Sequence, residues 1–132
     1  LLKKMNILGN GVDIVKNIRI KKAIKKKNFV NKIFTKVEIS NVKSVKLKTN
    51  HFAKRFAAKE SFVKALGTGM RKGIKFKDIS VVNDKYGKPY FDLTTKLKNK
   101  IKKKFKVKKF DVFLSLSDEK EFSVAYTIIS GN

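Results

Sequence analysis

Apolar positions change period several times along the chain, and each change marks an element. Residues 6–15, NILGNGVDIV, are apolar and β-branched around a glycine-rich centre, the pattern of a strand. From 17 to 39, Ile20, Ile24, Phe29, Ile33 and Phe34 recur at roughly helical spacing opposite a lysine side, which predicts a helix. Residues 40–50 have no clear period and predict a loop, with Thr49 or Asn50 capping a helix over 51–66. GTGMRKG then predicts a loop, DISVV (78–82) a strand, and NDKYGKPY a turn in which Pro89 opens another short strand. Residues 94–104 read as a lysine-rich helix. FDVFLSLSDEKEFSVAYTII reads as a hairpin of two alternating strands joined near 117–121. The order β-α-α-β-β-α-β-β, without repeat or linker, predicts one α+β domain over 1–132, an antiparallel sheet with packed helices.

Composition narrows the chemistry. Apolar residues make up 42% of the 132, too many for a disordered chain, and no apolar run approaches the 18 residues or so of a membrane span. There is no cysteine, which excludes thiolate chemistry and disulfides, and His51 is the only histidine, which excludes a His-based zinc site. A hard-metal site would have to use Asp and Glu. Lys and Arg number 34 against 10 Asp and Glu, for a net charge of +24. Much of that excess reflects codon bias, since 31 of the 34 are Lys and Asn, Ile and Phe are also frequent. The remainder suits a polyanionic partner. The first residue is Leu1 rather than Met, from which a precursor cut or trimmed at this point is expected, with a plastid-like organelle after removal of a targeting segment, or the cytoplasm, as compartment.

The stretch RFAAKESFVKALGTG (55–69) poses the sharpest question. On a helical wheel, Phe52, Phe56, Ala58, Phe62, Val63, Ala65 and Leu66 cover one broad side, and Arg55 and Lys59 fall inside the same arc. Glu60 and Lys64 lie at its edge, one turn apart. One reading is structural: Glu60 and Lys64 form an (i, i+4) surface pair while Arg55 and Lys59 snorkel. The other is functional. Cations on an apolar face suit a phosphate-bearing ligand, and the glycines of GTG let backbone approach it. Asp13, near the end of a buried-looking strand, needs a partner, and two carboxylates plus phosphate oxygens are the usual way to hold Mg²⁺. Asp13 and Glu60 are then the metal ligands.

The blocks GNGVDIV (9–15), FVNKIFTKVEI (29–39), FAKRFAAKESFVKALGTGM (52–70), DISVVNDKYGKPY (78–90) and LSLSDEKEFSVAYTII (114–129) run in family order across nearly the whole chain. They resemble holo-[acyl-carrier-protein] synthase, the short class of 4′-phosphopantetheinyl transferase. The resemblance implies transfer of 4′-phosphopantetheine from coenzyme A to a serine of acyl carrier protein, with release of adenosine 3′,5′-bisphosphate. It implies Asp13 and Glu60 as Mg²⁺ ligands, Glu60 and Lys64 as catalytic groups, and a homotrimer with sites between subunits. By the same resemblance Arg55, Lys59, Lys64, Gly67, Thr68, Gly69, Lys88, Pro89, Ser117 and Asp118 bind coenzyme A. The basic face of Arg19, Lys22, Lys25 and Lys26 suits docking of an acidic carrier protein, or is a solvated lysine face. One position departs from the family: Ser115-Leu116-Ser117-Asp118 stands where the pattern reads Ser-x-Ser-His. Asp118 is expected in the turn after a strand over 112–117, paired with a lysine, Lys120 being near in sequence, or turned away from ligand. The rival functions are a small basic nucleic-acid-binding domain and an inactive relative of the transferase. Against the first, the strands carry no aromatic-plus-basic stacking platform.

Overall fold

The computed structural model describes residues 4–70 and 73–132; Arg71 and Lys72 of the expected loop lie outside the described residues. The elements run β1 (Asn6–Lys16), α1 (Asn17–Ala23), α2 (Lys27–Ile33), α3 (Lys36–Ser40), α4 (Lys48–Leu66), β2 (Ile79–Asn83), β3 (Pro89–Leu93), α5 (Thr95–Phe105), β4 (Phe110–Asp118) and β5 (Phe122–Gly131). This is an α+β architecture with antiparallel pairing throughout. One sheet has the order β1-β5-β4, and β2-β3 forms a separate hairpin.

The helix expected over 17–39 is instead three short helices. A straight 23-residue helix would run about 35 Å and carry its far end past a core this small. The chain turns twice instead, at Lys26 and at Phe34, both extended. Ile20, Ile33 and Phe34 thereby all reach the first half of α4, where they pack with Phe52, Ala53 and Ala57. Thr35 and Glu38 restart the helix as a capping box, a signal present in the sequence as Thr-x-x-Glu.

α4 begins earlier than expected, with Leu47 rather than Thr49 or Asn50 at its N-cap. It is buried on most sides because it is the element around which two cores form. Its first half packs against α1, α2 and the hairpin; Phe62, Val63, Ala65 and Leu66 pack with Ile74, Ile79, Leu97, Ile101 and Ile129. It ends at Gly67, whose φ of 76° is the left-handed conformation that lets its N–H cap the Val63 and Lys64 carbonyls.

In the three-stranded sheet, register puts Val12, Tyr126 and Ser115 side by side on the face away from α4, with Ile14, Val124 and Ser117 in the next row. That outer face is apolar yet open: Val12 is 52% exposed, Ile14 62%, Phe113 55% and Tyr126 40%.

Candidate active site

Two glycines decide how close α4 comes to β1. A Cβ on Gly11 would collide with the Ser61 carbonyl, and one on Gly9 with the Ala65 carbonyl, so only glycine permits this approach. The close contact brings Asp13 of β1 to Glu60 and Lys64 of α4. The Lys64 ammonium lies 3.2 Å from Asp13 Oδ1 and donates to the Val12 carbonyl at 2.9 Å. Of the two readings of this helix edge, the surface pair along the helix is thus replaced by an ion pair across to the strand. Glu60 has no hydrogen bond or ion pair with any described residue. Burial, and then the charge of Asp13, push its carboxyl above the ordinary value; Lys64 and Arg19 of α1 pull the other way. Two carboxyl groups and two cations thus share one electrostatic neighbourhood.

The remaining predicted contacts sit on the far side of α4. Arg55 is 7% exposed; its guanidinium donates to the His51 carbonyl at 3.2 Å and to Asn83 Oδ1 at 3.1 Å, while its Nε has no partner. Asn83 in turn donates to the Gly87 carbonyl at 2.9 Å, so one amide fixes both the guanidinium and the β2–β3 turn. Asp118, the last residue of β4, accepts from Asn50 Nδ2 at 2.8 Å and lies 3.5 Å from the Lys54 ammonium. Lys54, Asn83 and Asp118 stand between two adjoining recesses. One, of about 260 Å³, reaches Lys43 and Arg55; the other, of about 350 Å³, reaches Lys88 and Pro89.

Three expectations need correction. Lys59 does not face a ligand: it is wholly buried, 2.6 Å from Glu38 and bonded to the Ile33 and Phe76 carbonyls. Burial holds its pKa below the ordinary lysine value, and Glu38 offsets only part of that. Ser117 lies on the outer sheet face and does not line these recesses. Asp118 does pair with a lysine, but with Lys54 of α4 rather than Lys120, because it ends a strand instead of lying in the turn. Gly67, Thr68 and Gly69 follow α4, with Thr68 beside α5 in another recess. Arg19, Lys22, Lys25 and Lys26 are all exposed in and after α1.

Sequence reading missed Glu38, Asn50, Lys54 and Asn83. The Thr35–Glu38 box was a visible signal for the first, and the Asn50–Lys54 (i, i+4) spacing for the next two. Nothing local marks Asn83, whose role depends on a helix 28 residues away.

Among the described residues no three His, Cys, Asp or Glu side chains cluster as a metal cage. Asp13 and Glu60 nonetheless fit a divalent ion shared with phosphate. Both are hard oxygen donors, Glu60 is unengaged, and Asp13 has one oxygen beyond the one held by Lys64.

The family model of the 4′-phosphopantetheinyl transferase superfamily matches residues 9–127. A holo-[acyl-carrier-protein] synthase of Pelagibacter ubique is 54% identical over 125 residues, 95% of this chain and 98% of that protein. The crystal structure of the Neisseria meningitidis synthase superposes with a TM-score of 0.81 at 36% identity, over 94% of this chain and 98% of that one. The Bacillus anthracis synthase, in complex with coenzyme A (3′,5′-ADP), gives 0.77 at 36% identity, over 98% and 100%. The Asp13–Glu60–Lys64 cluster therefore sits in a fold and sequence shared along nearly the whole chain, and the protein belongs to the holo-[acyl-carrier-protein] synthases of the 4′-phosphopantetheinyl transferase superfamily.

Proposed function

We propose that this protein transfers 4′-phosphopantetheine from coenzyme A to a serine of an acidic acyl carrier protein, with Mg²⁺ as cofactor and adenosine 3′,5′-bisphosphate as leaving group. The observation that carries the reading is Glu60: a half-buried carboxylate without a partner, beside Asp13 and Lys64. The serine hydroxyl forms a new P–O bond at the phosphorus bearing pantetheine, the pyrophosphate P–O bond breaks, and the serine proton goes to Glu60. A base with a raised pKa accepts that proton more readily than an ordinary glutamate. Lys64 offsets charge on the phosphate oxygens while holding Asp13 in place. Asp13 and Glu60 would hold Mg²⁺, which when bound neutralises the pyrophosphate and polarises the phosphorus.

The nucleotide phosphates belong with Arg55, Lys54 and Lys88, but α4 separates these from Glu60 within one chain. Five residues at 100° each place Arg55 about 140° around the helix from Glu60. A complete site therefore needs the carboxylate side of one copy to meet the cationic side of another. The open apolar face of β1, β5 and β4 supplies a surface for that assembly, in keeping with a homotrimer. Arg19 of α1, whose charge reaches Glu60 of α4, and Lys22, one turn further along α1, would receive the acidic carrier protein.

The test is to incubate the protein with coenzyme A and apo carrier protein and weigh the carrier by mass spectrometry. Gain of one phosphopantetheine with Mg²⁺, abolished by chelation, is expected. No gain at any Mg²⁺ concentration would refute the assignment, and a monomer by sedimentation under active conditions would refute the shared site.

A further inference from the structure

A second strongly basic stretch lies away from the carboxylate cluster. Between Leu93 and Phe110 the chain has nine lysines and no acidic residue. α5 spends its apolar stripe inward, with Leu97 and Ile101 each 1% exposed, so its lysines form the outward side. Leu97 and Ile101 belong to the core around the second half of α4, whereas Ile20 of α1 belongs to the core around the first half. α1 and α5 thus pack into different cores along α4.

Beside α5 runs a furrow of about 510 Å³ between that helix, β3 and β4. Lys98 and Lys102 form one wall, and Lys108 and Lys109 the other. All four are exposed, and none belongs to the three ion pairs among the described residues. The floor is apolar, from Phe91, Phe110 and Val112, with Tyr90 47% exposed at the rim and Asp111 the one carboxylate.

We propose that this furrow is a docking groove for an acidic amphipathic helix of a partner protein, independent of the reaction and of the α1 face. Lys98 and Lys102 are one helical turn apart, about 6 Å along the axis, which matches carboxylates at (i, i+4) on a helix laid alongside. The apolar floor takes the partner's apolar stripe while the two lysine walls take its carboxylates, a helix-in-groove mode. The same features disfavour the other polyanions. A single nucleic-acid strand needs aromatic faces to stack on, and among the floor and rim aromatics only Tyr90 is exposed. A membrane-surface helix needs a free apolar face, which α5 has already buried.

The probe is a synthetic helical peptide with a leucine stripe and glutamates in (i, i+4) rows, followed by fluorescence anisotropy on the full protein. Lys98→Glu with Lys102→Glu should weaken binding at least tenfold, and Arg19→Glu with Lys22→Glu less than twofold. Replacing the peptide's leucines by serine should also cost at least tenfold. On the unmutated protein, the peptide should shift the amide resonances of Tyr90 and Phe110. Failure of the peptide to bind, equal loss in the two variants, or indifference to the leucines would overturn the proposal. So would tighter, Lys98- and Lys102-dependent binding of an oligothymidylate or of phosphatidylglycerol vesicles. Turnover with coenzyme A is read separately and decides only the catalytic reading.

Discussion

The Lys59 ammonium lies 2.6 Å from Glu38 Oε1, and neither side chain is exposed. Glu38 also accepts from the Thr35 and Val81 amides at 2.8 Å each, so this pair ties α3 and β2 to the middle of α4. Removing one partner leaves a buried charge unmatched. Lys59→Met or Glu38→Gln should each cost on the order of 3–5 kcal/mol, and the double variant well under the sum. Urea denaturation of the four proteins closes the cycle; additive losses would mean the two do not act as a pair.

Asp13→Ala and Glu60→Gln should each lower kcat at least a hundredfold, on the proposed mechanism, without loss of fold. For Glu60 the sign of the stability change follows from its raised pKa. The folded state favours the protonated acid, so ionisation costs stability as pH rises from the ordinary value through the raised one. Glu60→Gln removes that cost and should be more stabilising at pH 8 than at pH 4.5 in metal-free buffer. Equal effects at the two pH values would show that Glu60 titrates normally.

His51 provides an acid-side prediction. Its Nε2–H donates to the Glu38 carbonyl at 2.7 Å, and burial foremost, then Arg55, lower its pKa to about 4. The folded protein thus prefers the neutral ring. The associated stability is fully present above pH 6.5 and is lost as pH falls from 6.5 to 4, up to about 3 kcal/mol. His51→Gln should flatten that part of the stability–pH curve. An unchanged slope would locate the acid sensitivity elsewhere.

On the proposed mechanism, Asp118 competes with a nucleotide phosphate for Lys54, to which it is paired in the free protein. Asp118→Asn should release Lys54 and lower the KM for coenzyme A several-fold. Asp118→His should tighten binding further at pH 6 than at pH 8, when the ring is protonated. Calorimetry at both pH values measures this. Weaker binding in both variants would mean that Asp118 contacts the ligand productively.

Charge reversal at Arg19 and Lys22 should raise the KM for carrier protein, with strong salt dependence, and leave that for coenzyme A nearly unchanged. If steady-state kinetics show both constants moving together, α1 is not the docking face.

The strands, the long helix and the α+β class are legible in the residue order, because they follow from local period: alternation over 110–131 and apolar spacing through 51–66. It also singled out Asp13, Glu60 and Lys64, since a carboxylate near the end of an apolar strand and charge on an otherwise apolar helix are legible residue by residue. What each charge faces is set instead by long-range packing. Arg55 and Lys59 share one arc of the wheel, yet Lys59 is sealed against Glu38 while Arg55 borders an open recess. Lys64 reaches across to Asp13 instead of along the helix to Glu60, and Asp118 reaches Lys54 rather than the nearer Lys120. The break of residues 17–39 into three helices has the same origin. A wheel gives direction about one axis, but burial and partner are set by which other elements pack there, and those lie tens of residues away in the chain.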